Sequence, residues 1–278
     1  MGVIHTTYKW QSFDKLSIFG QCWHPETEPR AIILLIHGFG EHSDRYESWA
    51  KKFVNEGFAF ITFDLRGHGK SEGKRGDTES YDCWMKDIDV LFLNTEILFP
   101  GKSKILYGHS FGGNLAAFYV LQKKPDVKAA ILSSPWLKLA FEVKGFRKLL
   151  ADISNVLWPS LIQPSGLNAS DISSVSEIVE KYKSDSLNHD RISVRSFFFI
   201  TEAGNWVLKN ADKLQVPLLI LHGSGDRITS HKASIYFAEK AKAHTTIKIW
   251  DEMFHELHNE IVKEDVFAYV KTWLINTI

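Results

Sequence analysis

The 278-residue sequence has little cysteine: only Cys22 and Cys83, far apart and without CxxC or Cys/His spacing. That excludes a disulfide framework and a cysteine-built zinc site. It also lacks a surplus of either charge, since 33 basic side chains balance 33 acidic ones. Without a basic field nucleic-acid binding has no electrostatic support, and no nucleic-acid partner is expected. No window holds about eighteen uninterrupted apolar residues, so no bilayer-spanning helix is expected. The first residues lack a charged segment followed by an apolar one, so no secretion signal is read there. Gly2 fits the short myristoylation pattern, a loose match that leaves its modification open. The expectation is a cytoplasmic chain, monomeric or homodimeric.

What is present is ordinary globular composition, 44% hydrophobic and 24% charged, in a telling order. Short β-rich apolar runs alternate with helical patterns, the signature of a mostly parallel sheet with covering helices. Strands are expected at 31–37, 58–63, 103–107, 127–132, 216–221 and 246–250. Helices are expected at 46–55, 80–99, 111–123, 232–242 and 259–275. Segments 6–10 and 17–23 read as antiparallel strands at one sheet edge. The interval 135–205 breaks the rhythm: it is helical and aromatic, and no β run of adequate length is read in it. The reading is an α/β core formed by 1–134 and 206–278, with 135–205 as a helical cap over one end of the sheet.

Gly108-His109-Ser110-Phe111-Gly112 satisfies G-x-S-x-G, in which a sharp strand-to-helix turn lifts a serine hydroxyl above the sheet. The same pattern recurs at Gly69-Lys70-Ser71-Glu72-Gly73, so context must decide. Ser71 lies in a charged loop, whereas Ser110 joins ILYGH directly to FGGNLAAFYVL. A nucleophilic serine needs a base and a carboxylate to orient that base. In chain order the candidates are Asp226, after VPLLILHG, and His255, after IKIWDEMFH. Both follow strand C-termini, where sites gather in open parallel sheets. Asp64 precedes the serine, and Asp251 stands too near His255 in sequence. His37, His68 and His222 abut glycines and read as turn or core residues. Backbone amides of Phe39 and Phe111 are the expected oxyanion donors.

Other chemistries fail on spacing. Asn114-Leu115 stand where a phosphate-binding loop needs Lys and Ser/Thr, and no G-x-G turn has the third glycine of a dinucleotide fingerprint. His255-Glu256-Leu257-His258 is one residue short of H-E-x-x-H. No cofactor and no metal is expected.

Several longer segments resemble the α/β-hydrolases, and among them the monoacylglycerol lipase/lysophospholipase group of S33-type serine hydrolases. His37-Gly38-Phe39-Gly40-Glu41-His42-Ser43 with Arg45-Tyr46 is similar to its HGxGEHSxRY segment. The stretch from Asp64 to Gly73 resembles its DxRGHGxSxG loop, which makes Ser71 structural. Tyr182 to His189 resembles YxxDPLxH, with Ser186 replacing proline, and His255 to Glu260 resembles HxLHxE. The resemblance implies an α/β-hydrolase fold and a triad of Ser110, Asp226 and His255. It also implies that Glu41, Arg45, Tyr182 and His258 line or support a polar pocket for glycerol. Glu41 and Arg45 equally satisfy a plain ion pair holding the loop. The apolar residues Leu149, Leu150, Ile153, Val156, Leu157, Trp158, Leu161 and Ile162 fit a lid for an acyl chain, or a face that touches a membrane or micelle transiently. The expected activity is cleavage of a lipid ester, a monoacylglycerol, through an acyl-enzyme on Ser110. Lysophospholipase, broad carboxylesterase and an inactive binding relative are the alternatives.

Overall fold

Runs 32–36 and 59–63 are buried at every position, which demands cover on both faces. A parallel sheet between helical layers supplies it. The computed structural model describes residues 2–141 and 152–278. Along the chain come β1 (Val3–Gln11), β2 (Ser17–Pro25), β3 (Ile32–Ile36), α1 (Glu47–Asn55), β4 (Ala59–Phe63), α2 (Tyr81–Leu98), β5 (Lys104–His109), α3 (Phe111–Lys123) and β6 (Ala129–Ser133). After these come β7 (Ile162–Pro164), α4 (Ser176–Ser184), β8 (Arg191–Ser193) and α5 (Val194–Lys209). The chain closes with β9 (Leu218–Gly223), α6 (His231–Ala241), β10 (Thr245–Trp250) and α7 (Lys263–Thr277).

Eight strands form one sheet in the order β1-β2-β4-β3-β5-β6-β9-β10. The β1–β2 and β2–β4 pairs are antiparallel, and every pair from β4 to β10 is parallel. Alternation along β3 assigns the two layers, as the strand period of two requires. Ile32, Leu34 and Ile36 join the core under α2, α3, α5 and α6, while Ile33 and Leu35 join that under α1 and α7. This is the α/β-hydrolase architecture. The order reverses at β3, so the loops after β3 and β5 open on one crevice beyond the strand C-termini.

The interval 135–205 departs from its purely helical reading. β7 and β8 pair antiparallel, Ile162 opposite Ser193, as a three-residue ribbon. A run that short carries too few residues for period-two alternation to register. Residues 152–157 are helical. Leu149 and Leu150 of the expected apolar stripe lie outside the described residues. α5 runs across the expected boundary at 205 to Lys209 and sets Trp206 against Phe118 of α3, ring centroids 4.6 Å apart.

Candidate active site

Ser110 occupies the turn between β5 and α3 with φ 53° and ψ −115°, a conformation that L-residues avoid. Holding it there costs about 1–3 kcal/mol, which the surrounding structure must supply. The chain is clamped by Ser110 N–H donating to the Ser133 carbonyl (2.9 Å) and by the Ser110 carbonyl accepting from Trp136 (2.9 Å). Glycines flank the turn for a steric reason. A Cβ on Gly108 would meet the Gly112 carbonyl, and one on Gly112 would meet the carbonyls of Ile36 and His37. Ser71, the rival match, holds a loop instead: its Oγ donates to the Asp64 carbonyl and accepts from Phe19 N–H.

Asp226 and His255 converge from the loops after β9 and β10. These loops are stitched together by Ser224 N–H to Trp250 O (2.9 Å) and Gly225 N–H to Met253 O (3.0 Å). His255 Nδ1 donates to Asp226 Oδ2 at 2.7 Å. Oδ1 accepts from the amides of Ile228 (2.8 Å) and Thr229 (3.0 Å), and the Thr229 hydroxyl donates to Oδ2. Burial alone would raise the Asp226 pKa, but His255 and His222 outweigh it and hold the carboxyl well below the usual range. Burial likewise opposes the charged imidazole, yet Asp226 raises the His255 pKa above 6.5. Asp251, set aside for proximity, instead accepts from the Ser224 hydroxyl on the surface.

Ser110 and His255 both line a cavity of about 240 Å³, together with Gly38 and Phe39. The Phe39 amide follows the turn that Gly38 N–H fixes by donating to Glu41 Oε1 at 2.6 Å. His37 anchors the same turn by accepting from Leu65 N–H at 2.9 Å. Among the described residues neither the Phe39 nor the Phe111 amide has an acceptor. An acceptor is what an amide turned to a negative oxygen must lack.

Glu41 and Tyr182 line the cavity's polar side. Arg45 stands behind them, bonded to Glu41 and doubly to Glu256 (2.7 and 2.8 Å), with its guanidinium 4.7 Å over the Tyr182 ring. The ion pair read as an alternative for Glu41 and Arg45 therefore exists, inside a buried triad. Burial opposes ionisation of Glu41 and Glu256, but Arg45 overrides it and lowers both pKa values. His258 is set back from the cavity wall, stacked on Tyr46 at 4.8 Å, and burial lowers its pKa. Glu256 was not among the expected site residues; its place beside His255 is the one signal in the sequence, and its partner Arg45 lies 211 positions away. His222, read as core, is buried but touches Asp226. No group of three or more His, Cys, Asp or Glu side chains among the described residues is arranged to hold a metal ion.

A serine on a strained elbow in a doubly wound sheet, with a carboxylate-held imidazole lining the same cavity, is the arrangement of an α/β-hydrolase. Residues 27–262 match the serine aminopeptidase S33 family, and the chain belongs to it. Human (Homo sapiens) monoglyceride lipase is 31% identical over 263 residues, covering 92% of this chain and 86% of that protein. An uncharacterized abhydrolase domain-containing protein of Dictyostelium discoideum is 36% identical over 94% of this chain, which spans only 28% of that protein. The crystal structure of Paleococcus ferrophilus monoacylglycerol lipase superposes over all of both chains with TM-score 0.83 at 29% identity.

Proposed function

We propose that this ester hydrolase is a monoacylglycerol lipase, releasing fatty acid and glycerol through an acyl-enzyme on Ser110. The observation that carries the reading is the Asp226–His255 pair opening on the same cavity as Ser110, with its oxyanion side and its carboxylate-lined side adjoining. His255 Nε2 takes the Ser110 proton as Oγ adds to the ester carbonyl carbon. The amides of Phe39 and Phe111 receive the oxyanion. Collapse expels the glycerol oxygen, to which His255 returns the proton. Water deprotonated by His255 then adds to the acyl carbon, and Ser110 leaves reprotonated. Asp226 stays ionised throughout, holding the imidazole's tautomer and stabilising its charged form.

The alcohol side favours glycerol over a phosphodiester head group. Arg45 carries one positive charge against two carboxylates, Glu41 and Glu256, so the polar end keeps a net negative charge. An anionic phosphate would enter against that field, whereas neutral hydroxyls can donate to the carboxylates. Arg45 and His258 support this end from behind, with Glu41 and Tyr182 facing the substrate. Hydrolysis of monoacylglycerols, lysophospholipids and 4-nitrophenyl esters of matched chain length tests the reading. Monoacylglycerol is expected to be preferred over lysophospholipid by about tenfold or more in kcat/KM, the effect of one unfavourable charge contact. Equal or reversed preference would sink it.

A further inference from the structure

Asp226 holds two imidazoles. His222, the penultimate residue of β9, is fully buried, and its Nε2 lies 3.1 Å from the same Oδ2 that His255 Nδ1 reaches at 2.7 Å. Its Nδ1 lies 2.8 Å from the Ser234 hydroxyl on α6. Around Nε2 stand two acceptors, Asp226 Oδ2 and the Thr229 carbonyl at 3.3 Å, and the Thr229 hydroxyl, also at 3.3 Å, spends its proton on Oδ2 at 2.8 Å. That surrounding demands the N–H on Nε2 and leaves Nδ1 to accept from Ser234. The result is a directed chain: Ser234 to His222, His222 to Asp226, and Asp226 to His255.

We propose that His222 is a positioning residue that acts through Asp226, aiming its Oδ2 at His255 and moderating the basicity of that imidazole. The proposal rests on His255 being the general base. Place alone does not need His222, since Ile228 N–H, Thr229 N–H and the Thr229 hydroxyl already hold the carboxylate. What His222 adds is a second donor, beside the Thr229 hydroxyl, on the one oxygen that faces His255. A hydrogen bond donated to a carboxylate favours its ionised form and draws charge from it. Asp226 therefore pulls less strongly on the His255 proton than it would unaided. Other groups facing the pair are His231 and Ser234 from α6 on the His222 side, with rings of His222 and His231 6.3 Å apart. On the His255 side they are His109, at 4.9 Å between centroids, His258, Glu41 and Glu256.

The test is the titration of His255 in the full-length folded protein, followed by nitrogen-15 histidine NMR without substrate. In His222→Leu the His255 midpoint is expected to rise by about half a pH unit or more, the size of one lost hydrogen bond. In His222→Gln, whose side-chain amide can donate from the place of Nε2, it should return to the wild-type value. Ser234→Ala, which removes the hydroxyl donating to His222 Nδ1 and so weakens the Nε2–H donor without touching Asp226, should raise the midpoint part of the way and keeps the test open if the leucine variant does not fold. The acid limb of kcat/KM for an ester should move by the same amount, with KM unchanged. An unmoved midpoint in a folded His222→Leu or Ser234→Ala protein overturns the proposal. So does a His222→Gln protein that is folded yet titrates like the leucine variant. Because the titration is read without substrate, it stands or falls apart from the substrate assignment.

Discussion

Arg45 is the charge on which the polar side of the cavity depends. It is nearly buried and answers two buried carboxylates, Glu41 and Glu256, while Asn259 donates to Glu256 at 2.8 Å. Removing one member of such a triad leaves the rest uncompensated in a low-dielectric setting. Arg45→Met is expected to lower stability by about 3–5 kcal/mol at neutral pH in urea denaturation. The sign with pH follows from the two depressed carboxyl pKa values. Their contribution is present above the ordinary value of 4.5 and is lost as pH falls through the folded-state values, so the gap to wild type should narrow in acid. Equal stabilities at neutral pH would contradict the triad. Single residues at strand ends were legible in the sequence because a motif or a strand marked each one. Glu256 was not, since its bond to Arg45 spans 211 positions and no spacing rule reaches that far.

At the scale of elements, the elbow between β5 and α3 is the piece on which the geometry turns. α3 packs so closely on the end of β3 that Gly112 meets the backbone carbonyls of Ile36 and His37, not a flexible side chain. Backbone cannot yield there without moving the loop that presents the Phe39 amide. Gly112→Ala is therefore expected to cut ester hydrolysis at least about a hundredfold, the loss that follows when an oxyanion donor is displaced. Wild-type kcat/KM in the alanine variant would refute that packing. The elbow was readable because its glycines, strand and helix are contiguous in sequence. The β7–β8 ribbon was not, because three residues a side leave the hydrophobic period undefined.

For the whole molecule, the sheet's class followed from the alternation of apolar runs, but the order of its strands did not. Which runs become neighbours is settled by tertiary packing, as where Gly112 meets the end of β3 or Trp206 meets Phe118. Outside the core, Val156, Leu157 and Trp158 are exposed at 80%, 60% and 67%, an apolar face with no cover among the described residues. No helix among the described residues is long and apolar enough to cross a membrane. If that face meets the lipid surface, Leu157→Ser with Trp158→Ser should lower activity on vesicle-borne monoacylglycerol by about tenfold or more, given about 1.5–3 kcal/mol for each large side chain buried. Activity on a soluble short-chain ester should not change, and an equal loss on both substrates would rule out surface contact.

The proposed function rests at every scale on one oxygen, Ser110 Oγ, acting as the nucleophile, and its capture by a fluorophosphonate followed by peptide mass mapping tests that most directly. The folded wild-type protein should carry a single adduct on Ser110, and Ser110→Ala, with an unchanged circular dichroism spectrum, should carry none. An adduct on Ser71 or elsewhere, or no adduct on a folded protein across the range in which His255 loses its proton, would contradict the account.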